Sequence, residues 1–308
     1  MATSGTRAVV TALAANLGLA VAKFVGFLVT RSASMLAESI HSATDSANQA
    51  LLLLGARRAR RPASAAHPFG YGRERYFWSF VVALVLFSAG AVFAVYEGIS
   101  KVRHPHEIDN VGWAIGILLV GVLLEMWSLR TAVVEANRYR GDSSWRRFIV
   151  DSKQPELPVV LLEDIGALVG LLFALTAVGL AETTGDPRWD GVGTLAIGLL
   201  LGVIAIVLAR EMQSLLIGES ADDADLEAIR MAIESVPAVD RLIHLRTQHL
   251  GPDQILVGAK VAFDPGLDTA GVAVAIDSVK AEVRRVVPAA RPIYVEPDLE
   301  HLEDPPSA

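Results

Sequence analysis

Three ionisable residues stand within two helical turns of each other in a stretch that is otherwise apolar. In the segment LAESIHSATDSANQ, Glu38, His41 and Asp45 are spaced i, i+3 and i+7, which places them on one face of a helix. His41 and Asp45 are four residues apart, so an imidazole nitrogen and a carboxylate can point at one cation. Asn48 and Gln49 extend this polar stripe. In a soluble helix the same spacing usually belongs to a solvated surface pair, so its meaning depends on the surroundings.

A second acidic pair interrupts a later apolar run, VVLLEDIGALVGLL, with no basic residue beside it. On a helix, Glu163 and Asp164 point about 100° apart, so both can hardly face one ion. We therefore expect one of them to have another role, such as proton carriage, a helix contact or the lining of an access path. Another apolar run contains Glu125 and Arg130, for which a mutual ion pair and a place in a pathway both remain open.

The composition indicates that these residues lie in a membrane. The chain of 308 residues is 52% hydrophobic and has a mean hydropathy of +0.43, which is too apolar for an ordinary soluble protein. A charged group in the hydrocarbon core costs about 2.5 to 3.5 kcal/mol on insertion scales, so it usually lines a pathway or pairs with another charge. About 20 apolar residues cross that core, and six segments qualify, at roughly 8–30, 33–55, 77–99, 111–134, 156–180 and 190–210.

Basic residues in two loops predict the orientation of the spans. Loops rich in arginine and lysine face the cytoplasm. The loop after the second span holds Arg57, Arg58, Arg60, Arg61, Arg73 and Arg75, and the loop after the fourth holds Arg138, Arg140, Arg146, Arg147 and Lys153. With six spans, both termini then lie in the cytoplasm. The membrane expected is a bacterial plasma membrane or an organellar inner membrane.

Several classes of function are excluded by what the sequence lacks. It contains no cysteine, so disulfides and thiolate metal sites are absent and any metal must be held by nitrogen and oxygen. The net charge is −7, with acidic residues concentrated in the tail, so nucleic-acid binding has no footprint. No Gly-rich phosphate loop, nucleophile elbow or Walker motif occurs. We therefore expect no enzyme activity and no organic cofactor.

The tail has the pattern of a small soluble domain. The segment GESADDADLEAIRMAIESV begins with capping residues and continues as an amphipathic helix, and QILVGAKVAF is a strand run. A second helix near AGVAVAIDSVKAEVRRV and the strand RPIYVEP complete an αββαβ order. The chain is thus expected to form a membrane domain over 1–217 and a cytoplasmic α+β domain over 218–308.

Four segments resemble the cation diffusion facilitator family: VAKFVGFLVTRSASMLAESIHSATDSANQ, HPFGYGRERYFW, LLEDIGALVG, and a tail with LRTQHLGP and IYVEP. The resemblance implies a homodimer of six-helix bundles in the lipid bilayer. Each bundle would carry a cytoplasmic domain of ferredoxin-like αββαβ shape. It further implies export of zinc or a related divalent cation from the cytoplasm in exchange for protons.

The resemblance also implies a tetrahedral site with two ligands from an [HD]xxxD motif on the second helix and two from an HxxxD motif on the fifth. His41 and Asp45 match the first motif. Asp164 matches the last residue of the second, but Val160 stands where the family has histidine. Three protein ligands remain. The fourth position is open to Glu38, Glu163, Asn48 or water.

The loss of one imidazole bears on the identity of the metal. Oxygen ligands favour harder ions such as Mn²⁺ or Fe²⁺. The segments ESIHS and LLED are similar to a subgroup of the family that includes mitochondrial zinc transporters, which keeps Zn²⁺ as the first expectation. The alternatives are a Mn²⁺ or Fe²⁺ transporter of the same family, a channel or uptake carrier, and a metal-sensing membrane protein without flux.

Other metal positions of the family are changed as well. In the loop HPFGYG, His67 is kept, whereas Tyr71 replaces the usual second histidine. In the tail, His244 and His249 lie near family metal positions but are shifted, and the corresponding positions hold Ala259, Ala273, Tyr294 and Glu296. We therefore expect the soluble domain to dimerise without a binuclear zinc cluster.

Overall fold

Two compact units make up the chain in the computed structural model, which describes residues 33–105, 111–141 and 144–298 and single positions between 10 and 28. The first unit comprises Met1–Arg58 and Glu74–Gln213, and the second comprises Ala59–Arg73 and Ser214–Ala308. The loop that follows the predicted second span therefore groups with the tail. The expected division of the chain at residue 217 stays a prediction.

The first unit is built from helices. In chain order the helical segments are α1 (Ala33–Ala59), α2 (Glu74–Val81), a π-helical segment (Val82–Phe87), α3 (Ser88–Arg103), α4 (Val111–Arg140), α5 (Trp145–Asp151), α6 (Glu156–Thr184) and α7 (Arg188–Ile217). Within the described ranges, three stretches are long and apolar enough to cross a membrane: Ala114–Arg140, Glu156–Thr184 and Arg188–Ile217. They correspond to the predicted fourth, fifth and sixth spans. Most of the predicted first span lies outside the described residues.

The helices differ from the predicted spans in length and regularity. α1 continues to Ala59 and α4 to Arg140, because helical hydrogen bonding extends past the apolar run into segments that carry arginine. The third span is helical throughout from α2 to α3, but its middle part, Val82–Phe87, is a π-helix. The short helix α5 is not predicted, since seven residues are too few for a periodic pattern. It is capped by the Ser144 hydroxyl, which accepts a hydrogen bond from the Arg147 backbone N–H at 3.2 Å.

Apolar side chains and glycines bring these helices together. A methyl group at Gly98 of α3 would lie 2.8 Å from the backbone nitrogen of Leu195 in α7, and Gly191 is as close to the α3 backbone. Small residues allow this approach of helices in lipid. Lys101 and Asp190 join the same two helices through an ion pair of 2.8 Å. A buried apolar cluster joins α1, the π-helical segment, α6 and α7, and consists of Leu52, Val82, Ala83, Val159, Val160, Ile204, Ala205 and Leu208.

A buried ion pair fixes the start of α2 to the start of α6. The Arg75 guanidinium donates to both carboxylate oxygens of Glu156, with 2.5 Å from Nε to Oε1 and 2.8 Å from Nη2 to Oε2. The two side chains are only 7% and 5% exposed. The neighbouring Tyr76 is fully buried, and its hydroxyl donates to the Lys153 carbonyl at 3.4 Å. Arg75 is therefore a structural partner of Glu156 as well as one of the charges that predict the orientation.

The second unit contains a three-stranded sheet with two helices. Its elements are α8 (Asp223–Glu234), β1 (Val239–Gly251), β2 (Gln254–Phe263), α9 (Thr269–Val286) and β3 (Ala290–Pro297). The strand order is β1-β2-β3, with β1 and β2 antiparallel and β2 and β3 parallel. α8 begins as expected, since the Asp222 side chain accepts a hydrogen bond from the Asp225 N–H at 2.8 Å. The predicted αββαβ order is confirmed, and with it the class of a helical membrane protein with a small α+β domain.

The loop 59–73 packs on the β1–β2 hairpin through glycine backbones. A methyl group at Gly72 would lie 2.6 Å from the Leu250 carbonyl oxygen, and one at Gly251 would lie 2.8 Å from the Gly72 Cα atom. Such contacts are shorter than any side chain permits without a shift of the backbone. Gly72 and Gly251 are therefore required by the close approach of two backbones. In the same loop Gly70 has a φ of 83°, in the left-handed region that favours glycine.

The buried Arg75–Glu156 pair generates a prediction on stability. Arg75→Ala or Glu156→Ala should each lower the free energy of unfolding by about 3 to 5 kcal/mol, because each leaves a buried charge without its partner. The double variant Arg75→Met with Glu156→Leu should cost less than either single change. Denaturant unfolding of the detergent-solubilised protein measures these differences.

Arg138→Ala is the matched control, because the Arg138 side chain is 71% exposed in its ion pair with Glu135. That change should cost no more than about 0.5 kcal/mol. If Arg75→Ala lowered the free energy of unfolding no more than Arg138→Ala, the buried pair would not be what holds α2 and α6 together.

Candidate metal site in the membrane helices

The first part of the candidate site lies on α1. This helix is unbroken from Ala33 to Ala59, so its backbone keeps Glu38, His41 and Asp45 on one face as the spacing predicts. Their side chains lie outside the described residues. Their role as ligands stays a prediction.

One turn beyond Asp45, the polar stripe of α1 is buried and reaches α6. Asn48 is 4% exposed, and its Nδ2 donates a hydrogen bond of 2.9 Å to Oε1 of Glu163. The other amide atom, Asn48 Oδ1, is buried and accepts no hydrogen bond from a described residue. Gln49 is 2% exposed, and its Oε1 is likewise buried and accepts no hydrogen bond from a described residue. Asn48 thus links the second and fifth spans and keeps one carbonyl oxygen that could serve a cation.

The second part of the site is Asp164, in the middle of α6. Its side chain is 8% exposed, and its Oδ2 accepts a hydrogen bond of 3.0 Å from the hydroxyl of Ser128 in α4. Ser128 is not among the site residues predicted from the sequence. A serine in an apolar span carries little signal by itself, although its position three residues after Glu125 puts the two on one face of α4.

The two adjacent carboxylates of α6 thus contact different helices. Glu163 accepts from Asn48 of α1, and Asp164 accepts from Ser128 of α4. This divergence agrees with the angle of about 100° between consecutive residues on a helix. The bond from Asn48 makes Glu163 a contact between helices, one of the roles considered for it. Asp164 as a ligand, and Glu163 as a possible further one, stay predictions.

Val160 precedes Asp164 by one turn and lies in apolar surroundings. It is 9% exposed and belongs to the cluster that also contains Leu52 and Val82. In this chain an apolar side chain that packs in this cluster therefore stands at the position where the family has histidine. Glu125 is half-buried and Arg130 is exposed on α4, and the choice between an ion pair and a pathway role for them stays open.

The other histidines considered from the sequence have ordinary surroundings. The His67 ring stacks on Tyr71 with 4.5 Å between ring centroids. His249 is 4% exposed, with Nδ1 3.3 Å from the Gly251 carbonyl oxygen, whereas His244 is exposed on β1. In the part of the chain that the structure describes, no group of three or more histidine, aspartate or glutamate residues could hold a metal. The side chains of His41 and Asp45 are outside that part.

Comparison with known proteins adds independent information. The cation efflux transmembrane domain matches residues 9–217. The chain is 32% identical to the Proton-coupled zinc antiporter SLC30A9, mitochondrial, of Mus musculus over 244 residues, which cover 79% of this chain and 43% of the relative. It is 31% identical to Metal tolerance protein C4 of Arabidopsis thaliana over 260 residues, 84% of this chain and 57% of the relative.

A bacterial relative is more distant and more nearly equal in length. A probable cation efflux system protein of Mycobacterium tuberculosis is 27% identical over 274 residues, 88% of this chain and 77% of the relative. By contrast, the chain spans about half the length of the mouse and plant relatives. The names of all three are those of metal transport or tolerance proteins.

Apolar helices of spanning length that bury carboxylates in their interior define an integral membrane protein. The chain belongs to the cation diffusion facilitator, or cation efflux, family, because the transmembrane domain of that family matches more than half of it. The resemblance stated from the sequence segments is confirmed.

The Val160 position generates a prediction on metal binding. Because Val160 and Asp164 share one face of α6, the change Val160→His should add a fourth, nitrogen ligand to the proposed set. Zinc affinity should rise and manganese binding should fall, since imidazole favours Zn²⁺ over the harder ion. Isothermal titration of the full-length protein in detergent with each metal measures both effects.

Val159→His is the matched control, because Val159 is equally part of the apolar cluster but points about 100° away from Val160. It introduces the same buried imidazole without directing it at the site. A Val160→His variant that bound zinc no more tightly than Val159→His would contradict the set of three protein ligands.

Proposed function

We propose that this chain exports a divalent metal ion, Zn²⁺ in the first place, from the cytoplasm in exchange for protons. The observation that carries the proposal is Asp164, a carboxylate buried in an apolar membrane helix and oriented by a hydrogen bond from a neighbouring helix. Its proposed partners are His41 and Asp45 on the second span. A buried ionisable residue in a span is costly and is kept where it serves transport.

Coordination chemistry explains why protons would drive the export. A metal ion and protons compete for the same atoms, because His41 must be neutral and the carboxylates ionised to bind the cation. Protons that enter from the opposite side would displace the ion there. The ligands would then lose their protons to the cytoplasm and bind the next ion. This cycle needs no nucleotide, in keeping with a sequence that has no phosphate-binding loop.

Zinc is preferred for two reasons. The mouse relative is named as a proton-coupled zinc antiporter. A set of one imidazole and two carboxylates with a fourth oxygen also suits Zn²⁺, which accepts three protein ligands and water. The Oδ1 atom of Asn48, buried and without a hydrogen bond from a described residue, supplies a candidate for that oxygen. The oxygen-rich set keeps Mn²⁺ and Fe²⁺ as the alternative cargo.

Assembly and orientation belong to the same proposal. We infer a homodimer, with both termini and the α+β domain in the cytoplasm, from the arginine-rich loops and the family resemblance. The proposed activity is transport and not an enzymatic reaction. A sensor without flux is the second candidate, and the transport assay distinguishes it because a sensor binds the ion but does not move it.

The proposed ligands generate the central test by mutation. Asp45→Ala and Asp164→Ala should each abolish zinc transport, because each removes a charged ligand from the site but little packing. Transport is measured with purified protein in liposomes that contain a zinc-sensitive dye. Size-exclusion chromatography verifies that each variant remains folded.

Glu182→Ala is the matched control, since Glu182 is an exposed carboxylate at the far end of the same helix. Its transport rate should equal that of the wild type. Full transport by Asp164→Ala would rule out the proposed site, and zinc binding without flux in the wild type would favour the sensor.

The tail generates a further prediction. Truncation after Gly218 should reduce dimerisation and abundance, because the tail is the proposed dimerisation domain. It should change the ratio of zinc to manganese transport less, because the tail lacks the family's set of ligands. Light scattering of the purified protein and transport with both metals provide the two readouts. Two tight metal sites per chain in the isolated tail, or a reversed metal preference after truncation, would refute this.

A further inference from the structure

The exposed apolar side of α4 ends in an arginine. Leu123, Trp127 and Val134 are exposed, and their spacing places them on one face of the helix. In a membrane protein, an exposed apolar face of a spanning helix contacts the lipid acyl chains. Arg138 follows Val134 by one turn on the same side, and its side chain is exposed as well. The guanidinium therefore lies where this lipid-contacting face ends.

The short helix α5 packs against the same end of α4. Its Phe148 is buried in an apolar cluster with Ala136 of α4 and Leu157 of α6. Trp145 meets the Phe148 ring edge-on, with 6.2 Å between ring centroids. These contacts fix α5 at the ends of two spanning helices. Three of its side chains remain exposed, namely Trp145, Arg146 and Arg147.

An aromatic ring brings a further arginine of α4 to α5. The Arg140 guanidinium lies over the Trp145 ring, with 4.7 Å from its Cζ to the ring centroid, within the range of a cation–π contact. Tryptophan is enriched at the level of the lipid headgroups, and long basic side chains extend toward that level from helix ends. α4 and α5 thus combine residues that suit the boundary between acyl chains and headgroups.

We propose that these residues bind the phosphate groups of anionic lipids. The arginine surface, as we call it, consists of Arg138, Arg140, Trp145, Arg146 and Arg147. A guanidinium matches two phosphate oxygens through parallel N–H bonds. Basic residues beside a spanning helix are also attracted to an anionic membrane surface. The inference uses only the membrane location of α4 and α6, so it is independent of the metal ligands.

The contacts that these arginines already make are compatible with lipid binding. Arg138 has an ion pair with Glu135, and Arg140 donates from Nε to Asn137. Each guanidinium carries five N–H donors, so an arginine that is bonded on one side can still bind a phosphate oxygen on another.

Lipid titrations of the full-length protein in neutral detergent test the surface. Phosphatidylglycerol and phosphatidylcholine with the same acyl chains are the two lipid probes, inorganic phosphate is the third, and native mass spectrometry counts what is bound. The variant Arg146→Gln with Arg147→Gln removes two charges of the arginine surface. Arg284→Gln with Arg285→Gln is the matched control, because it removes two adjacent exposed arginines at the end of α9.

The wild type should bind phosphatidylglycerol more tightly than phosphatidylcholine. Arg146→Gln with Arg147→Gln should weaken phosphatidylglycerol binding about tenfold or more, because each basic residue contributes to the attraction. Phosphatidylcholine binding should not change, and the control should keep the wild-type affinity for both lipids. Thermal melting verifies the fold. If the double variant does not fold, Arg146→Gln alone takes its place, with an expected loss of about fivefold.

Three results would overturn the proposal. Phosphatidylglycerol affinity that stays unchanged in the α5 variant would show that these arginines do not bind lipid. An equal loss in the α9 control would indicate an effect of net charge alone. Inorganic phosphate that binds the wild type as tightly as phosphatidylglycerol would assign the surface to free phosphate. Zinc transport that fails in the wild type would overturn the proposed function and leave the lipid inference standing.

Discussion

A carboxylate inside an apolar helix must be compensated, and this requirement organises the first unit. An ionised group in hydrocarbon is costly unless hydrogen bonds, opposite charge or a bound cation stabilise it. α6 carries three such groups, and each has a donor from another helix. Arg75 of α2 donates to Glu156, Asn48 of α1 donates to Glu163, and Ser128 of α4 donates to Asp164. The fifth span therefore receives polar contacts from three other helices, α1, α2 and α4.

The three contacts differ in kind, and the difference matches their places along the helix. At the start of α6 the partner is an arginine, so the charge of Glu156 is neutralised and the contact is structural. About two turns further in, roughly 10 to 12 Å along the axis at 1.5 Å per residue, Glu163 and Asp164 accept hydrogen bonds from the neutral side chains of Asn48 and Ser128. A neutral donor orients a carboxylate but does not itself neutralise the charge. The contact at Glu156 thus differs in charge from the contacts at Glu163 and Asp164, near the candidate metal site.

The sequence predicts the parts of this arrangement that depend on local pattern. Capping at Asp222 and the alternating run at β2 predict the α+β domain, and the angle between consecutive residues predicts that Glu163 and Asp164 diverge. Contacts between distant residues are not predicted. Arg75 and Glu156 are 81 residues apart, and Ser128 and Asp164 are 36 residues apart, so only the packing of the helices decides that they meet. The role of His41 and Asp45 stays a prediction, because their side chains are outside the described residues.

The proposed coupling of metal movement to protons can be measured with the wild-type protein in liposomes. Zinc uptake and internal pH are recorded together after a pH gradient is imposed in either direction. With antiport, zinc should accumulate against its own gradient when the vesicle interior is acidic, and protons should leave as zinc enters. Reversal of the pH gradient should reverse the movement of zinc. Zinc flux that only follows its own gradient, equal under both pH gradients, would contradict the coupling and indicate a channel.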